Sequence, residues 1–351
     1  MLVGAPGQDI VGIRAAALAE WFEANVAGAR GPLAFDQIAG GHSNLTYRVT
    51  DAVGNVFVLR RPPTGPLLPS AHDMAREHRI ISGVGRSGVP VPEALGLCTD
   101  TSVNDQPFYV MRFVPGVVLD DPAKVTASYP PPTRRTIGES VVTTLAVLHA
   151  VDPADVGLGD LGKREDYLPR QLRRWRGQWE ASKTRELVTM EAVADALEQA
   201  VPAQVGSGIV HGDYRLGNML VDPDGAIAAV LDWELCTLGD VLADVGYLLN
   251  NWVQPGEEGP ATTGAAMPPT LAGGFATREE LVARYEELTG RDCSGIAYYR
   301  AFQYWRFAVI MEGVLDRYTK GAMGDAGDTE AFRLQVEACA DEALGLIRSW
   351  G

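Results

Sequence analysis

Apolar residues recur at helical spacing near the start of the chain. Ile10, Ile13, Leu18, Trp21 and Phe22 share one face of residues 9–28, and Gly28 closes the segment. The period then shortens. FDQIAGGHSNLTYRVTD reads as two strands around a glycine turn, and NVFVLRRPP as a third strand stopped by Pro62 and Pro63. SAHDMAREHRIISGVGRSG returns to helix, with Ser70 placed to cap its start and glycines to end it. PFYVMRFVPGVVL is a strand that breaks at Pro115 and Gly116. From about residue 130 the 3.6-residue period dominates, over 134–150, 164–183, 185–200, 277–289 and 297–318, with one short β interruption at 209–232.

These elements predict an α+β chain. A small β-rich lobe covers 1–114 and includes the leading helix. A short connection lies near 111–116, and a larger α-rich lobe covers 115–351. Residues 254–276, rich in Gly, Pro and Ala, read as a long loop or lid.

Composition narrows the function classes. A length of 351 residues accommodates two lobes with a large core. The formal net charge of −15 argues against a nucleic-acid binder, which would carry a basic face, and would suit a cationic substrate. Cys98, Cys236, Cys293 and Cys339 form no closely spaced pair, so a reduced compartment is expected and a cysteine-based metal site is not. The segment MLVGAPGQDIVG lacks the pattern of a signal peptide, and no apolar run approaches the ~20 residues that span a bilayer. The expectation is a soluble cytoplasmic protein with no membrane association.

The chemistry concentrates in one stretch, HGDYRLGNMLVD, residues 211–222. Apolar residues on both sides make it a crossing between two short buried strands. Downstream, AAVLDWE sets Asp232 at the end of another apolar run. Asp213, Asn218 and Asp232 therefore sit on loops attached to adjacent strands. Carboxylate, amide and carboxylate oxygens suit Mg²⁺, which is also bound through phosphate oxygens. A remaining carboxylate can orient an attacking hydroxyl and accept its proton. This set belongs to phosphoryl transfer.

HGDYRLGN followed by LDWE resembles the catalytic and metal loops of aminoglycoside phosphotransferase-like kinases, which share the protein-kinase fold. The resemblance implies a protein-kinase-like two-lobed architecture. It implies Asp213 as catalytic base, Asn218 and Asp232 as Mg²⁺ ligands, His211 as a loop-shaping residue and Arg215 facing the transferring phosphate. Asp240 and Asp244, in LGDVLADVG, would cap and brace the loop.

That reading makes demands upstream. Gly40, Gly41, His42, Ser43 and Asn44 form a turn whose backbone would cover the phosphates of ATP. Arg60 stands where the family pattern places lysine; it keeps the charge but is longer and planar. Arg61 falls on the opposite strand face and is expected in solvent. Glu77, on the inward face of its helix, would anchor Arg60. Val58 and Met111 would line an adenine slot whose edge meets the backbone of Arg112 and Val114.

In the larger lobe, Arg306 lies on an apolar helical stripe. A buried charge needs a partner. It pairs with a carboxylate such as Glu312 or Glu234, or it receives an anionic substrate. The arginines of YLPRQLRRWRGQW read as a solvated helix face.

Nearly the whole chain, including LRRPPTGPLLPSAHDMAREHRII, GVPVPEALGLCTD and PFYVMRFVPG, is similar to the kinase-like domain associated with acyl-CoA dehydrogenases. This implies a functional link to such an enzyme, and phosphorylation of a small-molecule hydroxyl on a hydroxyacid or hydroxyacyl-CoA. Two alternatives stand beside it. One is an aminoglycoside 3'-type phosphotransferase, which the acidic charge would suit. The other is a nucleotide-binding pseudokinase that regulates a partner, for which Arg60 in place of lysine is the support.

Overall fold

The computed structural model describes residues 10–38, 44–65, 72–257, 267–321 and 329–350. Its chain divides into two compact units, Met1–Pro115 with Ala228–Glu234, and Gly116–Ile227 with Leu235–Gly351.

The first unit is built on a five-stranded antiparallel sheet in the order β1-β2-β3-β5-β4, comprising β1 (Ala34–Gln37), β2 (Leu45–Thr50), β3 (Val56–Arg61), β4 (Ala94–Cys98) and β5 (Phe108–Arg112). Period-two alternation decides what each face does. On one face, Tyr47, Val49, Phe57, Leu59 and Val110 pack with Leu18 and Phe22 of helix α1 (Ala15–Asn25) into the core of this unit. On the other face of β3 lie Val58 and Arg60. Helix α2 (Met74–Val84) presents Glu77, and a short α3 (Thr101–Asn104) precedes β5.

Two sequence expectations change here. The described cap of α2 is Asp73, whose side chain accepts from the Arg76 N–H at 2.9 Å; Ser70 lies outside the described residues. Arg61 is fully buried, not solvated. Its guanidinium donates to the carbonyls of Gly12 and Pro62 and pairs with Asp105 at 2.9 Å. The alternation that frees Arg60 from the α1 face drives Arg61 into it, and Asp105 compensates the charge.

The second unit is mainly helical: α4 (Pro122–Ser128), α5 (Pro131–Ala150), α6 (Tyr167–Ser182), α7 (Val188–Gln199), α8 (Leu242–Asn250), α9 (Arg278–Thr289), α10 (Ile296–Thr319) and α11 (Thr329–Arg348). Short strands β6 (Gly208–Val210) and β9 (Thr237–Gly239) pair antiparallel at its centre, and β7 (Met219–Val221) follows the 211–218 loop. β8 (Ile227–Val230) leads the chain into the segment 228–234 that groups with the first unit. Within the region read as a lid, 258–266 lie outside the described residues. The rest is tied down: Trp252 Nε1 donates to the Ala276 carbonyl at 2.9 Å, and Arg134 Nη1 to that of Ala272 at 2.7 Å. Among the described residues no helix is long and apolar enough to cross a membrane.

Candidate active site

In the first unit, Val58 and Met111 are register partners on β3 and β5, so they share a sheet face with Arg60, two residues along. Arg60 Nε lies 3.3 Å from Glu77 Oε2, and Nη2 lies 2.6 Å from Asp232 Oδ1. One guanidinium thus holds two carboxylates. Burial works against the Arg60 charge, but Glu77, Tyr109 and Asp232 outweigh it and raise its pKa. Glu77 is 2% exposed, and burial raises its carboxyl above the usual range against the pull of Arg60. Arg60 Nε makes no hydrogen bond among the described residues. A donor with unspent capacity therefore remains beside two negative groups.

Asp232 has a left-handed backbone, φ 64°. For a residue other than glycine this costs of order 1–3 kcal/mol and persists only where neighbours impose it. The Arg60 pair holds its side chain, and the next residue, Trp233, is fully buried with Nε1 on the Val230 carbonyl at 3.1 Å. Glu234 accepts from Asn44 Nδ2 at 3.3 Å, while Asn44 Oδ1 meets His72 Nδ1 at 2.9 Å. Asn44 is thus engaged within the protein. Gly40, Gly41 and Ser43, read as the phosphate-covering turn, lie outside the described residues. The Arg112 N–H donates to the Glu93 carbonyl at 2.9 Å, so it is not available to a ligand; Val114 follows two residues beyond it.

In the second unit, the loop alternates between anchors and presented groups. His211, Tyr214 and Leu216 are buried, and the Tyr214 hydroxyl donates to the Val141 carbonyl at 2.8 Å. Asp213 and Arg215 are left partly exposed between them. Asp213 Oδ1 accepts from Arg215 Nε at 3.2 Å, and Oδ2 accepts from Asn218 Nδ2 at 2.7 Å. Burial, then the nearby Asp213 carboxylate, push the pKa of the Tyr247 phenol far up.

The loop's backbone is held from behind. Asp244 Oδ2 accepts from the His211 N–H at 2.6 Å and Oδ1 from the Gly212 N–H at 2.8 Å. His149 Nε2 lies 3.3 Å from Asp244 Oδ2. Gly212 has φ 85°, and a Cβ there would stand 2.8 Å from the Leu235 carbonyl, so glycine is required on both grounds. Asp244 braces the loop as expected. Asp240 instead accepts from Tyr299 at 2.7 Å and from the Leu242 N–H at the start of α8 at 3.2 Å.

Arg306 is buried and bonds a main-chain carbonyl, that of Gly212. Of the two carboxylates considered for it, Glu312 is taken by Arg185 at 2.9 Å and by Thr184. Glu234 belongs to the first unit and accepts from Asn44. Sequence reasoning missed Tyr247, Trp175 as a wall for Arg306, and His149. The only signal for His149 was a single histidine in an otherwise apolar helix end.

Asn218 and Asp232 offer hard oxygen donors, the type Mg²⁺ takes, and two carboxylates around Arg60 leave net negative charge for a cation. Among the described residues no group of three or more His, Cys, Asp or Glu is arranged to hold a metal ion. Each donor, Asp232 in the first unit and Asn218 in the second, is of the type taken by a cation that also binds phosphate and water.

The sequence matches the phosphotransferase enzyme family over residues 35–281. It is 36% identical over 315 residues to acyl-CoA dehydrogenase family member 10 of Mus musculus, covering 89% of this chain and 29% of that protein. It is 32% identical over 324 residues to acyl-CoA dehydrogenase family member 11 of Gallus gallus, covering 91% of this chain and 41% of that one. The chain thus spans less than half the length of these curated relatives. Among solved structures, a Ralstonia eutropha protein assigned as an aminoglycoside phosphotransferase superposes with TM-score 0.79 at 31% identity, covering 95% of this chain and 98% of the other. An aminoglycoside phosphotransferase solved as a ternary complex shares the fold, with TM-score 0.60 at 17% identity over 96% of this chain and 98% of its own.

Proposed function

The chain belongs to the phosphotransferase enzyme family, and on that premise we propose that it transfers the γ-phosphoryl group of ATP to the hydroxyl of a small molecule. The observation that carries this reading is the Asp213 carboxylate, partly exposed yet fixed through both oxygens by Arg215 and Asn218. A carboxylate held in one orientation and open on one side is suited to orient an acceptor hydroxyl and take its proton.

The other roles follow from what each side chain has left to give. Arg215, partnered with Asp213, steadies negative charge that develops in transfer. Arg60, anchored by Glu77, grips phosphate oxygens through its remaining donor capacity. Val58 and Met111 flank adenine, with the Arg112 carbonyl and the Val114 backbone at its edge; the turn of Gly40, Gly41, Ser43 and Asn44 covers the phosphates. Asn218 and Asp232 would hold Mg²⁺. When bound, the ion supplies charge neutralisation at the phosphates. The fold neighbour solved with ADP and hygromycin B supports an adenine nucleotide as donor.

For the acceptor, the relatives named as acyl-CoA dehydrogenase family members support a hydroxyacid or hydroxyacyl-CoA, and a functional link to an acyl-CoA dehydrogenase. The net charge of −15 and the Ralstonia eutropha neighbour favour an aminoglycoside as the second reading. The test is ADP release from Mg·ATP in the presence of hydroxyacids, hydroxyacyl-CoAs and aminoglycosides, with Asp213→Asn as control. The expected result is stimulation by an acyl-type acceptor that the control lacks. Nucleotide binding with no stimulation by any acceptor would point instead to a regulatory pseudokinase.

A further inference from the structure

We propose that Arg306 is a positioning residue: it fixes the Gly212–Asp213 peptide and, through it, the direction of the Asp213 carboxylate. The inference rests on the phosphotransferase reading above. It assigns Arg306 to the loop, not to an anionic acceptor.

The Arg306 guanidinium closes on the Gly212 carbonyl as a fork, with Nη1 and Nη2 each at 3.2 Å. That carbonyl belongs to the peptide whose N–H is Asp213's own. The same N–H donates to His211 Nδ1 at 3.2 Å. Both polar ends of one peptide plane are therefore held, Arg306 at the oxygen and His211 at the nitrogen. The preceding peptide is held too, since the Gly212 N–H donates to Asp244 at 2.8 Å. Gly212 supplies no steric restraint of its own, because glycine at φ 85° has alternatives open to it. The orientation of this peptide must be imposed by partners, and Arg306 is the partner of its carbonyl.

Arg306 is itself immobilised. Its guanidinium carbon lies 5.3 Å from the Trp175 ring centroid and 5.9 Å from that of Tyr247. Nη1 also donates to Gln303 Oε1 at 2.9 Å, and Gln303 Nε2 donates onward to the Ala243 carbonyl at 2.8 Å. At 8% exposure, its contacts are this carbonyl, this glutamine and aromatic faces; among the described residues it has no ion pair. A buried arginine placed for packing alone would be expected to carry a carboxylate counter-charge. Here the charge is directed at the residue before the proposed base. The Tyr247 ring that flanks it also lies near Asp213, whose charge raises the Tyr247 pKa after burial does.

Lysine cannot reproduce a planar fork on one oxygen. The experiment measures basal hydrolysis of Mg·ATP, with water as acceptor, by the full chain carrying Arg306→Lys, Arg306→Gln or Asp213→Asn. It adds hydrogen exchange of the 211–214 amides. Displacing a catalytic group by a fraction of its reach lowers turnover by about 10- to 100-fold, so kcat is expected to fall by that factor in both Arg306 variants. The KM for ATP should stay within about twofold, because the groups proposed to hold phosphate are untouched. Exchange should rise at 211–214 but not along α6 and α10.

Wild-type kcat in the Arg306 variants, with Asp213→Asn inactive, overturns the positioning role. Faster exchange throughout α6 and α10 also overturns it, leaving only a packing role. Wild-type hydrolysis by Asp213→Asn sinks the phosphotransferase reading itself.

Discussion

One amide nitrogen of Asn218 reaches both the main-chain carbonyl of Asp213, at 2.9 Å, and its carboxylate Oδ2, at 2.7 Å. The amide is planar, so committing its nitrogen to Asp213 turns its oxygen away from that residue. Under the proposed function Asn218 would thus have two separable jobs, tethering the proposed base and offering an oxygen to a cation.

Substitution can divide those jobs. Asn218→Ala removes both, and should lower kcat by about 100-fold and raise the Mg²⁺ concentration needed for half-maximal rate. Asn218→Asp restores an oxygen donor but places a second carboxylate against Asp213, with no N–H to give. Its Mg²⁺ requirement should return toward wild type while kcat stays low. Titrating Mg²⁺ against rate for the two variants is the measurement. Equal Mg²⁺ requirements in wild type and Asn218→Ala would remove Asn218 from the cation.

Arg60 joins two carboxylates through different nitrogens, Nε toward Glu77 and Nη2 toward Asp232. A lysine ammonium is a point charge and cannot span both while gripping a phosphate bidentately. Although the family pattern places lysine there, Arg60→Lys in this chain should weaken nucleotide binding by about tenfold, or ~1.4 kcal/mol. Calorimetric titration with ATP and Mg²⁺ checks it. Tighter binding by the lysine variant would mean the surroundings are not built around arginine.

The cation also shows where the sequence was legible. The alternation of β3 and the helical face carrying Glu77 are local patterns, and both appear in the structure as read. The spacing inside HGDYRLGN likewise placed Asp213 and Asn218 in one loop. What escaped was non-local. Arg61 is compensated by Asp105, 44 residues away, which has a left-handed backbone that no apolar pattern announces. Arg306 is satisfied by a main-chain carbonyl, which has no side-chain signature in sequence. Strand β4, which is short and half-buried, and helix α11 also escaped.

Asp244 is fully buried and accepts two loop N–H groups, those of His211 and Gly212. Burial would raise its carboxyl, but His149, His211 and the Gly212 N–H outweigh this and lower it. Asn in its place has one acceptor oxygen, and its amide would face the second N–H as donor against donor. Leaving one buried N–H unsatisfied costs about 1–3 kcal/mol. Asp244→Asn should therefore unfold earlier in denaturant by that amount and also lose turnover, because the same N–H groups set the loop. A variant with wild-type stability and rate would show that the brace is dispensable.

His149 gives the pH dependence a definite sign. It is fully buried, with Nδ1 at 2.7 Å from the Tyr285 hydroxyl and Nε2 facing Asp244; Arg291 and His211 lie close enough to repel a second positive charge. Burial is the largest effect and lowers its pKa below the ordinary 6.5, despite the attraction of Asp244. The unfolded chain therefore takes up a proton near pH 6.5 that the folded chain refuses. Stability from this residue is complete above that pH and declines as pH falls toward the folded-state pKa. For one such proton the loss between pH 7 and 5.5 is up to about 1 kcal/mol. His72 and His78 are also lowered by burial and contribute in the same direction, so the test is a difference between proteins. His149→Gln can keep bonds to both neighbours without titrating. Its melting temperature should fall less than that of the wild type between pH 7 and 5.5. The lowered carboxyl of Asp244 acts in a separate window, below about pH 4, where its stabilisation is lost on protonation. Parallel melting curves for wild type and His149→Gln across the upper window would show that the histidine takes up its proton equally in the folded and the unfolded chain.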